Sequence, residues 1–467
     1  MNVLAHAPGP PPSFDIAAQD GSDHQETLGG GLGARARRKC HPRNHLSPRV
    51  CRMLSNLLRF LSLIYGEVSE RFKEHAWKAC VGEILPWVRI PPSPPSYFVQ
   101  NSDRSQRNPE RVECEFGGPL MNTFTRREFV GTSLLAAAAH AIPACPLDRI
   151  GTPYKLGKYV LSPSGQPGAF DQVSVDCPFV FRHGGQFYMT FVAFDGIGYQ
   201  TGLASSPDLV QWKNEGCILK RDPSSPILKY NAAMNWILRE NGLHSPGELK
   251  QVDGHYLGVY HSYPNQGLEQ GAAVIGLCRS QDLRTWTVDP PCLKPQDGAP
   301  WEQGGLYKPC LVQFKETFYI FYNAKNHTEA PWHEQTGVAM SKDLKRWTRY
   351  SGNPVIPNGG PGSPDEHFAS DPCVLQDGHQ WVFYYFGLDA HGVARDLAAT
   401  GNDLFHATKC DRILIDVGPK GSIDSTYAHK PSVIQYQGDL YHFYCAVAHE
   451  SGPEIRAISV ARSKPWS

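Results

Sequence analysis

A short pattern recurs along the chain from about residue 176 onward, and it restricts the fold more than any other feature. A proline near the start of one extended run is followed ten positions later by a large apolar residue in the next. The pairs are Pro178/Tyr188, Pro246/Tyr256, Pro309/Tyr319, Pro372/Val382 and Pro431/Tyr441, with the prolines 68, 63, 63 and 59 residues apart. A second signature, S-x-D-L-x-x-W, closes the unit at 206–212, 280–286 and 341–347, and a decayed copy, Gly401-Asn402-Asp403-Leu404, follows in step. Self-similarity at a fixed period marks a repeat architecture, in which no single unit buries its own apolar surface.

The first unit, residues 176–212, shows what is repeated. Its β-branched and aromatic residues fall in four pieces, 179–182, 186–194, 201–205 and 209–212, separated by His183-Gly184-Gly185, Asp195-Gly196-Ile197-Gly198 and Ser206-Pro207-Asp208. Apolar runs bounded by Gly, Pro and Asp clusters read as a four-stranded antiparallel meander. Five such meanders predict an all-β fold, a five-bladed β-propeller of four-stranded blades around a central funnel, which hides the sheet edges. Proline suits the first residues of a strand because its missing N–H removes no ladder bond there. The fifth copy ends one strand short at Ser467. Residues 158–161 are expected to supply that strand and close the ring.

Composition changes ahead of the repeats. Residues 1–120 are rich in Pro, Arg and Ser and read as a disordered or wrongly assigned extension, with one apolar stretch, 53–65, too short to span a bilayer. From Met121 the text becomes MNTFTRREFVGTSLLAAAAHAIPAC. Thr125-Arg126-Arg127-Glu128-Phe129-Val130, an apolar run and Ala139-His140-Ala141 have the order of a twin-arginine signal peptide over 121–145, with export to the periplasm or beyond. Cys145 could carry a lipid in that setting. The folded domain is placed at 150–467. Formal net charge is zero, which argues against a nucleic-acid partner, and the mature domain is expected to be a monomer without a membrane span. Of 13 cysteines none forms a C-x-x-C pair, so no metal or other cofactor is expected, and buried free thiols are expected rather than disulfides.

In such a blade the start of the first strand and the loop between the second and third open on one face. The strand starts then bring Asp176, His244, Glu248, Lys308, Asp371, His429 and Lys430 to the funnel mouth. The loops add Asp195, Tyr199, Tyr263, Asn265, Asn323, Lys325, Glu334, Asp389, His391, His449 and Glu450. Carboxyls gathered in this way raise one another's pKa, as acid–base chemistry needs. Tyr199, Trp236, Tyr263, Trp301, Trp332 and Tyr427 are candidates to stack on sugar rings. Asp208, Asp282 and Asp343 of the closing signature are read as turn formers on the opposite side.

The blade count, the prolines after strand-start acids and the closing signature resemble the five-bladed glycoside hydrolases of families 43, 32, 117 and 130, over residues 154–467. The resemblance implies cleavage of a glycosidic bond in an oligo- or polysaccharide by paired carboxyls. It makes Asp176 the general base, although Cys177 stands between it and the proline. Asp371-Pro372 has the Asp-Pro form directly, and Asp371 is assigned to tuning the acid or orienting the sugar. Blade three departs from the pattern, with Lys308 in place of an acid. Glu334 is therefore the leading general acid, with Glu302 next. Asp195, Tyr199, Glu302, Lys308, Asn323, Lys325, Asp389, His391, His429 and Lys430 are assigned to substrate binding. Two other functions fit the same residues: a phosphorylase whose lysines hold phosphate, and a sugar-binding propeller without catalysis.

Overall fold

A computed structural model describes residues 145–449 and 454–466. The apolar stretch at 53–65, the twin-arginine motif and Glu450 lie outside these residues. The described chain is all-β apart from short helical turns such as Leu147–Ile150. Its strands pair as successive antiparallel meanders. Ser174–His183, Gln186–Phe194, Tyr199–Ser206 and Lys213–Leu219 form the first. Ala233–Ile237, His255–Ser262, Val274–Ser280 and Thr287–Leu293 follow. Gly305–Phe314, Thr317–Lys325, Glu334–Ser341 and Thr348–Arg349 come next. After them stand Phe368–Asp377, Gln380–Leu388, Ala394–Gly401 and Thr408–Lys409. The last group is Tyr427–Tyr436, Asp439–Ala448 and Ile455–Arg462, completed by Tyr154–Lys155 from the other end of the chain.

That completion extends the expected closing segment. Besides the Tyr154–Lys155 pairing, Ile458 donates its N–H to Leu161 O at 2.9 Å and Leu156 donates to Val460 O at 2.9 Å. Residues 154–161, rather than 158–161 alone, cover the edge of the Ile455–Arg462 strand. The first meander also meets the last, where Val180 N–H donates to Ser432 Oγ at 3.1 Å. Between neighbouring meanders the core is aromatic and aliphatic, as where Phe179 and Trp236 lie 4.4 Å apart, ring centre to ring centre.

The first strand of every meander carries an irregularity at the same height. Its register breaks between Asp176 and Phe179, Met234 and Trp236, Tyr307 and Cys310, Ser370 and Cys373, and His429 and Ser432. In four of them the break contains a proline, which has no N–H to give to the ladder, and the residue before it takes a left-handed φ. These are Cys177 at 47°, Lys308 at 46°, Asp371 at 53° and Lys430 at 70°. Non-glycine residues held there cost on the order of 1–3 kcal/mol each and concentrate at functional sites. Here the strain accompanies a β-bulge that re-aims one side chain per strand.

Two sequence expectations need correction. Pro246 is not the counterpart of the other repeat prolines. It lies between the strands Ala233–Ile237 and His255–Ser262, and the equivalent bulge holds Asn235 and Trp236. His244 and Glu248 fall in the same insertion, bonded to Asp377 and Arg182 at the far ends of first strands, so they do not reach the funnel mouth. The cysteines are also not all thiols. Cys145 and Cys410 form a disulfide. Seven other described cysteines are free, five of them buried.

The closing signature makes turns, as expected. Ser206 Oγ accepts the Leu209 N–H at 2.9 Å, and Asp208 Oδ1 accepts the Gln211 N–H at 2.7 Å. The same bonds recur at Ser280 and Asp282. The fourth strand of the first meander starts after this turn, at Lys213 rather than at Leu209.

Candidate active site

The bulges set one residue from each first strand around a narrow pocket, lined by Cys177, Asn235, Lys308, Asp371 and Lys430 with Pro178, Trp236, Pro309, Pro372 and Pro431. Asp371 is the single carboxyl in this ring. The other acids come from its edge and from the loops between second and third strands.

Glu334 opens the Glu334–Ser341 strand and is 3% exposed. Three donors hold its carboxyl: Trp332 Nε1 on Oε1 at 2.8 Å, and Asn323 Nδ2 at 3.0 Å and Ser370 Oγ at 2.7 Å on Oε2. Burial and then the charge of Glu269 raise its pKa above the ordinary glutamate value. Asn323 Nδ2 also donates to Asp371 Oδ1 at 3.2 Å. These Glu334 and Asp371 oxygens are thus no farther apart than those two bonds end to end, about 6.2 Å. Burial pushes Asp371 up to about 7, against the pull of Lys308 and Lys430.

The cations stand between the acids. Lys308 Nζ lies 3.3 Å from Glu269 Oε1 and 3.5 Å from Asp371 Oδ2. Lys430 Nζ lies 2.5 Å from Asp176 Oδ2, and Arg456 approaches the same oxygen at 3.3 Å. Burial works against the charge of Asp176, but Lys430 and Arg456 hold its pKa well below the usual carboxylate range. Lys325 Nζ donates to the Glu269 carbonyl at 3.1 Å and sits 4.6 Å from the centre of the Trp332 ring. Burial lowers its pKa.

Aromatic and imidazole groups complete the wall. Tyr199, Tyr263 and Tyr307 cluster with His261, their ring centres 5.4–6.4 Å apart. Burial drives the His261 pKa to about 3 and keeps the ring neutral. His429 is likewise held far below its ordinary value by burial and by Lys430 and Arg456, and Tyr427 stands beside it at 5.4 Å. Tyr263 Oη, His261 Nε2 and Asn323 Oδ1 are buried without a hydrogen-bond partner among the described residues.

The structure therefore brings together Asp176, Tyr199, Lys308, Asn323, Lys325, Glu334, Asp371, His429 and Lys430. It leaves out five other candidates. Asp195 is bound within its own loop by the N–H groups of Ile197 and Gly198 and by Arg221. Asp389 does the same with His391 N–H, Val393 N–H and Arg395, and the His391 side chain is exposed. Glu302 is 1% exposed and fully engaged by Arg349 at 2.9 Å, Tyr322 Oη at 2.9 Å and Ala299 N–H at 3.0 Å, so it anchors a turn rather than the substrate. Trp301 stacks beside Tyr322, away from the site.

Two site residues escaped the sequence reading. Arg456 belongs to the last strand, where Glu454 and Asp176 flank it. Glu269 sits in Pro264-Asn265-Gln266-Gly267-Leu268-Glu269-Gln270-Gly271, which reads as an ordinary polar loop. Its position between the second and third strands was the available signal.

A family model described as "Glycosyl hydrolases family 32 N-terminal domain" matches residues 230–395. The levanase of Bacillus subtilis (strain 168) is 30% identical over 211 residues, 42% of this chain and 28% of that protein. An uncharacterized protein of Mycobacterium tuberculosis (strain CDC 1551 / Oshkosh) is 28% identical over 163 residues, 33% of this chain and 52% of that protein. The chain thus spans between about a quarter and a half of the length of these relatives. Among solved structures, one described as a BT0996 RGII complex is 28% identical with a TM-score of 0.58, covering 68% of this chain and 94% of that one. Another, described as "Glycoside hydrolase", is 28% identical with a TM-score of 0.59 and the same coverage. The all-β fold is a glycoside hydrolase fold.

Proposed function

We propose that this protein is a glycoside hydrolase, a five-bladed β-propeller that cleaves a glycosidic bond in an oligo- or polysaccharide with Glu334 as general acid. One observation carries the reading: Glu334 is buried and raised in pKa while other carboxyls a few residues of wall away are paired with lysines and ionised. Carboxyls pushed apart in this way divide into acid and base. The resemblance of the fold to solved glycoside hydrolases supports the same class, and the successive meanders with a strand borrowed from 154–155 support the blade count. Glu334 gives its proton to the leaving-group oxygen. Asp371, joined to it through Asn323, orients the acid or the sugar. Tyr199, Lys308, Lys325, His429 and Lys430 bind the sugar or fix the acids. The domain works alone, and a start at Met121 would send it out of the cytoplasm by the twin-arginine route.

A screen of aryl glycosides and oligosaccharides tests this, with levan and RGII included because of the two relatives named above, and with and without phosphate. Release of free sugar in the absence of phosphate is the expected result. The lysines bear on the phosphorylase alternative: Lys308 and Lys430 are each already ion-paired, and Lys325 is bonded to the Glu269 carbonyl. Turnover only with phosphate, yielding a sugar phosphate, would replace hydrolysis with phosphorolysis. Binding without cleavage would leave a sugar-binding propeller.

A further inference from the structure

We propose that Glu269, rather than Asp176, is the ionised carboxylate that works opposite Glu334 and touches the attacking water. The assignment rests on the hydrolase reading above and adds its second catalytic residue. Three observations carry it.

Asp176 is committed elsewhere. Its Oδ1 accepts the Cys177 N–H at 2.7 Å, and its Oδ2 takes both Lys430 and Arg456. The side chain is 6% exposed. The bulge makes Cys177, the next residue, the one that lines the pocket. A general base must offer a lone pair to water, and a doubly ion-paired carboxylate turned toward a neighbouring strand does this poorly.

Glu269 has what Asp176 lacks. Its side chain is 23% exposed, Lys308 touches Oε1 alone, and Oε2 carries no hydrogen bond among the described residues. The loop fixes it in place. Glu269 takes a left-handed φ of 52° between Gly267 at 108° and Gly271 at 89°. Lys325 holds its carbonyl, and Gly267 N–H reaches across to Ile197 O at 2.8 Å. A glutamate held in that strained conformation by a buried lysine is aimed rather than idle.

The charges also divide correctly. Desolvation opposes the charge of Glu269, yet Lys308, Lys430 and Lys325 hold its pKa at about 2, and its charge is the largest electrostatic influence keeping the Glu334 proton on. In the step that follows, water attacks the anomeric carbon and passes one proton to Glu269. The glycosidic C–O bond breaks with its electron pair going to the leaving oxygen, which takes the Glu334 proton. One water is consumed, and the free sugar and the alcohol are released. Exchange of the Glu269 proton with solvent and reprotonation of Glu334 reset the site.

The full-length protein and its Glu269→Ala and Asp176→Ala variants are assayed on an activated aryl glycoside found in the screen, with and without sodium azide. Azide is a nucleophile that needs no base. Glu269→Ala removes one of the two partners of Lys308 and is expected to stay folded with a lower Tm, lose about 10²–10⁴-fold in rate, regain activity with azide and yield a glycosyl azide. Asp176→Ala should show no such rescue. A Glu269→Ala rate within tenfold of wild type, or azide rescue at Asp176→Ala and none at Glu269→Ala, would overturn the assignment while the hydrolase reading stands. A wild type that cleaves nothing in the screen would overturn the hydrolase reading itself, and this assignment with it.

Discussion

Glu334→Gln isolates the acid, because the consequences for folding and for chemistry can be worked out separately. Three donors converge on this carboxyl, one on Oε1 and two on Oε2. Glutamine retains one oxygen. Turned toward Asn323 and Ser370 it keeps two bonds and sets its own N–H₂ against the Trp332 N–H. A buried donor left unpaired costs about 1–3 kcal/mol, so the fold survives with a Tm a few degrees lower. The chemical loss depends on the leaving group. A poor one, an alkyl alcohol or a second sugar, needs the proton, and the rate should fall about 10²–10⁴-fold, or about 2.7–5.4 kcal/mol of barrier. A dinitrophenolate leaves without it and should lose less than about tenfold. The assay is kcat/KM for a series of aryl glycosides of rising leaving-group pKa, for wild type and variant. The gap between the two lines should widen as that pKa rises, and the alkaline fall in wild-type rate should vanish in the variant. A constant gap across the series would mean that Glu334 is not the acid.

Three further outcomes follow from the charges and the disulfide. Asp371 keeps its proton to about pH 7 in the fold but only to about pH 4 when unfolded, so the native state binds the extra proton. Its contribution to stability therefore declines as pH rises from 4 to 7, by up to about 4 kcal/mol, and Asp371→Asn should flatten that slope in urea melts taken across the window. Asp176→Asn leaves Lys430 and Arg456 without their shared partner. It should cost about 3 kcal/mol, seen as a lower Tm, while the rate at 25 °C drops less than tenfold; an unchanged Tm would refute the ion-pair account. Cys145→Ser opens a bridge that joins residues 265 apart. It should lower stability by about 2–5 kcal/mol, and a reducing agent should destabilise the wild type by the same amount and the variant not at all.

The meanders were legible because each is written twice, in an alternation of apolar runs with Gly, Pro and Asp turns and in a repeat of the whole unit. The copy containing Pro246 misled because the insertion between Ile237 and His255 happens to place a proline near the expected spacing, whereas the bulge there is made by Asn235 and Trp236 without one. Side-chain direction was harder to read. A bulge adds one residue to a strand and so exchanges the faces on which neighbours fall. Sequence places Asp176 and Cys177 side by side, but only the left-handed φ at Cys177 decides which of them lines the pocket. Glu302 and Glu334 looked alike, each a glutamate within two residues of a tryptophan at the edge of a strand. What separates them is Arg349, more than forty residues from Glu302 in sequence, which pairs with Glu302 and leaves Glu334 to neutral donors.

That difference points to how the site assigns its protons. Read around the wall, the charges alternate: Glu269, Lys308, Asp371, Lys430, Asp176 and Arg456, with an ion pair or a close electrostatic influence at each step. Cations beside a buried carboxyl pull its pKa down, enough to ionise Asp176 and Glu269 but not enough to offset burial at Asp371. Glu334 stands outside the sequence of pairs, held by an indole, an amide and a hydroxyl that satisfy its oxygens without neutralising a charge. Burial raises the pKa of both Glu334 and Asp371, and Glu334 is the one of the two with no cation bonded to its oxygens among the described residues. Lys308, which stands in place of an acid at its strand start, and Lys430 are what allow the remaining acids to differ. With carboxyls in their places, burial and mutual repulsion would raise every pKa in the pocket together, and no single residue would be left ionised to face an acid.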